Sequence, residues 1–233
     1  MSRCVVVTGS SSGIGRSICE KLLANGDTVI GIARDHTKFE PRTDSYHARR
    51  CDLVNHAEVT QVFEGVFSDF PNLGAVVSNA GTGAMGSLEE FSMKQIDAAI
   101  QSNLLSHLYV ARAVVPYFKR HGAGDLIVTG SEASLRGSAK GTLYCAAKFG
   151  LRGMVQSLRQ ECSRNGIRVM GVYPGMVRTP FFDDLSFEPG KDSANAIAAC
   201  DVAEVVSMML SLPLNTVVDE VELSPLKKVV SRK

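Results

Sequence analysis

Short runs of apolar, largely β-branched residues alternate along this chain with longer stretches in which apolar positions recur every three or four residues. The runs are CVVVT (4–8), TVIGIA (28–33), AVVSN (75–79), LIVTG (126–130) and IRVMGVY (167–173), with a weaker one at YHARRC (46–51) and another at 217–223. Helical spacing predicts helices over 14–24, 57–67, 93–118, 143–163 and 202–210. The strands show little polar alternation, as expected of strands covered on both faces. With the strand-helix rhythm, this argues for an α/β fold built on a parallel sheet between two layers of helices. The rhythm loosens after Pro174 and recovers only near 202. Neither an internal repeat nor a linker interrupts the pattern.

Composition narrows the picture. The chain has 233 residues, 45% of them hydrophobic, enough for one well-buried core and short for two, so a single domain over 1–233 is expected. Lysine and arginine total 25 against 24 acidic residues, without a long basic block, and this lacks the electrostatic footprint of a nucleic-acid binder. The basic tail LKKVVSRK (226–233) reads as a solvated terminus. Six cysteines lack a CxxC pair, the five histidines lack HxxxH spacing, and no secretory signal is visible. Buried thiols in a reducing, cytoplasmic setting are therefore expected, with neither disulfides nor a metal. No apolar run approaches the roughly 18 residues of a membrane span.

Two stretches carry chemistry. The first strand runs straight into TGSSSGIG (8–15) and then a helix. Gly9 permits a tight exit, Gly13 lets main chain approach a pyrophosphate, Gly15 allows close packing, and the helix N-terminus offers free N–H groups to an anion. A merely tight strand-to-helix turn is the plainer alternative. In LYCAAKFG (143–150), Tyr144 and Lys148 stand four apart, one above the other on a helix face. A half-buried tyrosine beside a snorkelling lysine would look the same.

The GxxxGxG spacing, NAG at 79–81, Ser131, YCAAK at 144–148 and PGMVRT at 174–179 follow in this order over residues 4 to about 223. In these features the chain resembles the short-chain dehydrogenases/reductases. The resemblance implies a Rossmann doubly wound sheet of about seven strands, order 3-2-1-4-5-6-7, and a hydride-transfer site with Asn103, Ser131, Tyr144 and Lys148 as catalytic residues. It implies nucleotide contacts from Gly9, Ser11, Ser12, Gly13, Ile14 and Gly15 at the phosphates, and from Asp52 and Leu53 at the adenine. Asn79, Ala80 and Gly81 would line the ribose, with Pro174, Gly175, Val177 and Thr179 at the nicotinamide end and Tyr144 and Lys148 between. A homodimer or homotetramer through the helices of Asn103 and Tyr144 is also implied.

NAD-specific relatives carry an acidic residue where this chain has Ala33, followed by Arg34. A guanidinium pairs two phosphate oxygens at once, so NADP(H) is expected over NAD(H). Asp35 leaves NAD(H) open, since a strand one residue longer would bring it to the ribose.

Reducing a carbonyl requires a proton for the developing alkoxide. Bringing a tyrosine from ~10 to about 7 needs ~4 kcal/mol, and an ammonium ~4 Å away supplies about that before desolvation is subtracted. Lys148 is therefore expected to make Tyr144 acidic. Ser131 would orient the substrate oxygen, with Ser134 and Ser138 as rivals, and Asn103 would hold a water linking Lys148 to solvent. A satisfied core asparagine is the plainer alternative for Asn103, and Cys145 reads as packing. Glu132 and Ser134 depart from the commoner residues of the family. The ending DEVELSP and the short segment after Pro180 look closer to NADP-linked enzymes acting on small hydroxy acids and broad carbonyl substrates, with an open or mobile pocket. Arg136, Lys140 and Arg178 could each clamp a carboxylate or be surface charges. A silent NADP-sensing protein and a Rossmann-like methyltransferase are the competing readings.

Overall fold

The computed structural model describes residues 2–233. Its strands are β1 (Cys4–Thr8), β2 (Thr28–Ala33), β3 (Tyr46–Arg50), β4 (Leu73–Ser78), β5 (Gly124–Thr129), β6 (Ile167–Pro174), β7 (Phe187–Pro189), β8 (Glu220–Leu223) and β9 (Val230–Arg232). Seven of them form a parallel sheet in the order β3-β2-β1-β4-β5-β6-β8. The expected winding is present, with the chain's eighth strand in the seventh place.

Among the described residues six α-helices cover the sheet: α1 (Gly13–Ala24), α2 (His56–Asp69), α3 (Met93–Ile100), α4 (Ser106–His121), α5 (Thr142–Cys162) and α6 (Ala199–Ser211). Successive strand residues point to opposite faces. Val6, Ile30, Val76 and Leu126 therefore join a core with Phe63 of α2, Val114 of α4 and Leu151 of α5. Val5, Val29, Val77 and Ile127 join a second core with Ile18 of α1 and Val206 of α6. Both sides of the sheet are sealed, which explains why the strand sequences lack alternation. None of the helices among the described residues is long and apolar enough to cross a membrane.

At the amino end of the strands, opposite the glycine loop, neighbouring strands β5 and β6 align Asp125 with Arg168. The buried guanidinium donates to both carboxylate oxygens at 2.6 Å. It also donates to the carbonyls of Leu212, Pro213 and Thr216, fastening the connection between α6 and β8.

Three features differ from the sequence expectations. The helix expected over 93–118 carries a π-turn at Gln101–Leu105 between α3 and α4, and Asn103 is at its centre. The strand expected over 217–223 is shorter, Glu220–Leu223. The tail is not simply solvated: β9 pairs antiparallel with β7, and Lys233 Nζ donates to the carbonyls of Phe182 and Asp183. Lys233 is used as a donor to main chain, which a charge-based reading does not detect.

Candidate active site

The carboxyl ends of the parallel strands β1, β4, β5 and β6 lie on one side of the sheet, and the strand order reverses direction between β1 and β4, the place where α/β folds bind ligands. Gly9 and Gly13 have φ of +68° and +53°, conformations that side chains rarely tolerate. A Cβ at Gly15 would lie 2.1 Å from the Gly9 carbonyl oxygen. Ser12 is the N-cap of α1, yet its side chain makes no capping bond, and the first turn, which includes Ile14, has no acidic residue. The helix start thus keeps N–H groups and the positive end of its dipole for an anion. Thr179 faces this loop from after β6, its Cβ 3.2 Å from the Cβ position of Gly13. These features fit a dinucleotide pyrophosphate, with Ser11 and Ser12 in the same loop.

Thr8, which sequence reasoning passed over, ties the loops together. Its buried hydroxyl accepts from the N–H groups of Asn79 and Ala80 at 2.9 and 3.2 Å, and Asn79 Nδ2 donates to its carbonyl. Tyr46 similarly braces the loop from below, donating to Ser10 Oγ at 3.4 Å, and only a glycine at position 31 leaves room for its hydroxyl. Pro174 ends β6, Gly175 N donates to Leu223 O at 2.8 Å, and Val177 bridges to Ile197.

β2 stops at Ala33. Asp35 turns into a local loop, accepting from Thr37 N at 2.8 Å and Thr37 Oγ1 at 2.9 Å, which holds its carboxyl below the usual range. Arg34 lines a surface cleft together with Arg50, whose Nε donates to the Arg34 carbonyl. Arg50 had no signal in the sequence, because only the β2–β3 register brings it beside position 34. Beyond β3, Asp52 accepts from Val54 N at 3.3 Å, and Leu53 is buried.

At the other end, α5 buries both Tyr144 and Lys148, with Nζ 5.6 Å from the phenol ring centroid. A Cβ on Gly81 would lie 3.0 Å from Asn103 Oδ1 and 3.6 Å from Lys148 Nζ, so both groups converge on that glycine. Asn103 is fully buried; its Nδ2 donates to Ala99 O, and its Oδ1 accepts from Thr82 N, each at 3.1 Å. Ser131 caps a short turn after β5, its Oγ accepting from Ala133 N at 3.2 Å. The buried Ser134 hydroxyl accepts from Ser131 N. Ser138 instead lies against the Cys145 thiol, 3.8 Å away.

Burial pushes the Tyr144 phenol above its ordinary value. The Ser131 hydroxyl opposes this by hydrogen bonding, while Cys145 and Glu132 reinforce it. Burial lowers Lys148 to about 8. This corrects the expectation that the ammonium by itself makes Tyr144 acidic. Desolvation penalises both charged forms, the phenolate and the ammonium moving in opposite directions in pKa. A third buried group, His107, shares a 2.7 Å hydrogen bond with Ser78 Oγ and is held neutral, its pKa lowered to about 3 by burial and by Lys148.

The flank of Tyr144 is apolar. The Phe181 ring is 6.0 Å away, and Met85 and Ile96 pack against the same cluster. Two of the candidate clamps are engaged elsewhere: Arg178 donates to the carbonyls of Gly190 and Asp192, and Arg136 pairs with Glu222. Lys140 is exposed, at φ +59°.

The chain matches the family model described as short chain dehydrogenase over residues 3–189. An uncharacterised oxidoreductase of Staphylococcus epidermidis is 27% identical over 94% of this chain and 96% of that protein. The structure of an alcohol dehydrogenase from the archaeon Thermococcus sibiricus, complexed with 5-hydroxy-NADP, is 28% identical with a TM-score of 0.87, covering 96% of each chain. A metagenomic short-chain oxidoreductase in complex with NADP is likewise 28% identical, with a TM-score of 0.83 over 96% of each chain. On a family match running through most of its length, the protein belongs to the short chain dehydrogenases and is an oxidoreductase of that family.

Proposed function

We propose that the protein interconverts an alcohol and a ketone or aldehyde using NADP(H), with Tyr144 transferring the proton. The observation that carries this reading is the convergence of Lys148 and Asn103 beside Gly81, with the Tyr144 ring next to Lys148 and a glycine loop suited to a pyrophosphate on the same side of the sheet. When bound, the nicotinamide supplies a hydride donor or acceptor. Gly9, Ser11, Ser12, Gly13, Ile14 and Gly15 would hold the phosphates, with Thr179 closing over them. Asp52 and Leu53 would border the adenine, Asn79, Ala80 and Gly81 the ribose, and Pro174, Gly175 and Val177 the nicotinamide.

Ser131 Oγ orients the carbonyl oxygen and supports its developing charge. Tyr144 Oη delivers a proton to that oxygen or removes one from the alcohol. Lys148 stabilises the phenolate and Asn103 fixes the surrounding main chain. A phenol held protonated by burial is ready to donate at neutral pH, which favours carbonyl reduction. Phe181 and Met85, with Arg136 and Arg178 committed to other partners, suit a neutral substrate with an apolar flank.

NADP(H) is supported by the paired cations Arg34 and Arg50 in one cleft and by the turn that occupies Asp35. It is also supported by the NADP-type ligands of the two similar structures. Free thiols, five of the six buried, suit a reducing cytoplasm. Exposed Leu108 on α4 and Phe149 on α5 suit a homo-oligomeric contact.

The test is Tyr144→Phe, assayed with NADPH, and NADH as control, against a panel of ketones, aldehydes and keto acids. Nucleotide binding should persist while turnover falls by about 10²–10⁴-fold. Undiminished turnover would refute the role of Tyr144. A wild type that binds NADPH and reduces none of the panel would favour the nucleotide-sensing alternative.

A further inference from the structure

The segment that follows β6 forms a wall beside Tyr144, and what fastens it comes from a distant part of the chain. Thr179 caps a short turn at Pro180–Phe182, its hydroxyl accepting from Phe181 N at 3.4 Å. From this turn a row of aromatic rings leads away from the phenol. Phe181 lies 6.0 Å from the Tyr144 ring, Phe182 lies 5.2 Å from Phe181, and Phe187 lies 5.8 Å from Phe182, centroid to centroid. Leu185 reaches the loop after β4, its Cδ2 3.0 Å from the Cβ position of Gly83.

The far end of this row is β7, which lies outside the main sheet and forms a two-stranded one with β9. Gly190 N donates to Val229 O at 2.9 Å and Lys233 N to Ser186 O at 3.0 Å. Lys233 Nζ donates to the carbonyls of Phe182 and Asp183, directly after Phe181. Among the described residues, every hydrogen bond that reaches 181–189 from a distant part of the chain comes from 229–233. This strap is itself tied down: Lys227 N donates to Ala194 O at 2.9 Å, Asn195 Nδ2 donates to Lys227 O at 3.2 Å, and Lys228 pairs with Glu132.

We infer that Lys233 is a positioning residue: by bonding the Phe182 and Asp183 carbonyls it fixes the Phe181 ring beside Tyr144, and so sets how well the site takes a carbonyl bearing an aryl substituent. This rests on the reading of Tyr144 as the proton-transfer group. Phe181 is half-buried, as are Met85 and Ile96 of the same cluster, so the patch next to the phenol keeps apolar surface uncovered. An aryl group placed there gains from the ring's geometry beyond simple burial. The gain requires the ring to be held beforehand, since a loose turn would have to be ordered at the expense of substrate binding. A small alkyl carbonyl has too little apolar surface to profit from the ring.

The test measures NADPH-dependent reduction of benzaldehyde and of propanal by wild type, Lys233→Met, Lys233→Arg, Ser231→Pro, Phe181→Ala and Phe181→Ala/Lys233→Met. Hydrogen–deuterium exchange over 180–190 is followed in the same proteins by mass spectrometry. Lys233→Met should raise KM for benzaldehyde about fivefold, the order of one aromatic contact, while KM for propanal and kcat for both stay within about twofold. Lys233→Arg, still able to donate to two carbonyls, should match wild type. Ser231→Pro, which removes an N–H from the middle of β9 opposite Glu188, should reproduce Lys233→Met. Exchange over 180–190 should quicken in both loosened variants and stay unchanged in α5. Phe181→Ala should raise the benzaldehyde KM at least as much, and adding Lys233→Met to it should change nothing further.

An unchanged benzaldehyde KM in Lys233→Met, an equal rise for propanal, or a further rise in the Phe181→Ala background would overturn the inference. The second result would mean general loosening, and the third a route that bypasses Phe181. Lys233 is exposed, so its variants should fold; were Lys233→Met not to, Ser231→Pro decides by the same criteria. If Tyr144→Phe retains turnover, the reading of Tyr144 fails. If it abolishes turnover while Lys233→Met treats the two aldehydes as wild type does, only the role of Lys233 fails. Should wild type reduce neither aldehyde, exchange alone judges the fastening, and unchanged exchange in Lys233→Met overturns it.

Discussion

Replacing Lys148 with methionine should stabilise the nucleotide-free protein near neutrality and weaken that advantage in alkali. Lys148 is 3% exposed, and burial takes its pKa from 10.5 to about 8. At about 1.4 kcal/mol per unit, holding this ammonium in the folded state costs about 3 kcal/mol. Below pH 8 the group is charged in both folded and unfolded chains, so the whole cost is present. Between pH 8 and 10.5 the unfolded chain binds more protons than the folded one, and wild-type stability rises with pH through that window. Above 10.5 both forms are neutral and the cost is gone.

Methionine has similar length and no charge. Lys148→Met should therefore exceed wild type by about 3 kcal/mol at pH 7, roughly 6–12 °C in Tm for a chain of this size, with the difference shrinking from pH 8 upward. Buried Tyr46 and Cys51, whose pKa values are raised to about 12 and about 11, titrate in both proteins and cancel in the comparison. Urea unfolding of both proteins from pH 7 to 10 measures the gap. A gap that is constant across that range, or a wild type more stable at pH 7, would refute the reasoning. Turnover should be lost in the same variant, so stability and activity part company at this residue.

Gly15→Ala would drive a methyl group to 2.1 Å from the Gly9 carbonyl and 2.7 Å from Asn79 Nδ2. It should cost about 1–3 kcal/mol and weaken NADPH binding at least about tenfold, measured by urea unfolding and fluorescence titration. Gly153→Ala on α5, where a Cβ meets nothing within 4 Å, should instead stabilise by about 0.5–1 kcal/mol and leave affinity unchanged. Arg168→Met leaves the buried Asp125 and three carbonyls without their partner and should cost about 3–5 kcal/mol in urea unfolding, with part of the loss recovered in Asp125→Leu/Arg168→Met.

The sheet was legible because its strands are buried on both sides and punctuated by glycine and proline, so local pattern and tertiary environment agree. The glycine loop was legible for a related reason: Gly9 and Gly13 answer a backbone demand that leaves a trace in residue type. Less could be read where the surroundings of the candidate site are built from partners distant in the chain. Thr8 meets Asn79, Arg50 meets Arg34 and Lys228 meets Glu132 only after folding. Nothing in a threonine, arginine or lysine taken singly announces such a partner. The tyrosine-lysine pair was visible from its spacing, but its electrostatics was not, since burial reverses the direction that proximity alone suggests.

The π-turn at Gln101–Leu105 amounts to a phase slip in an otherwise continuous rod. One surplus residue rotates everything beyond it by about 100° about the axis. The stretch before the slip lays Ile96 and Ala99 against the Tyr144 cluster, while the stretch after it turns Val110, Val114 and Phe118 onto the sheet. Were one residue excised here, the two halves would compete for a common orientation, and either the wall beside the phenol or the seam beneath the sheet would be pulled out of register.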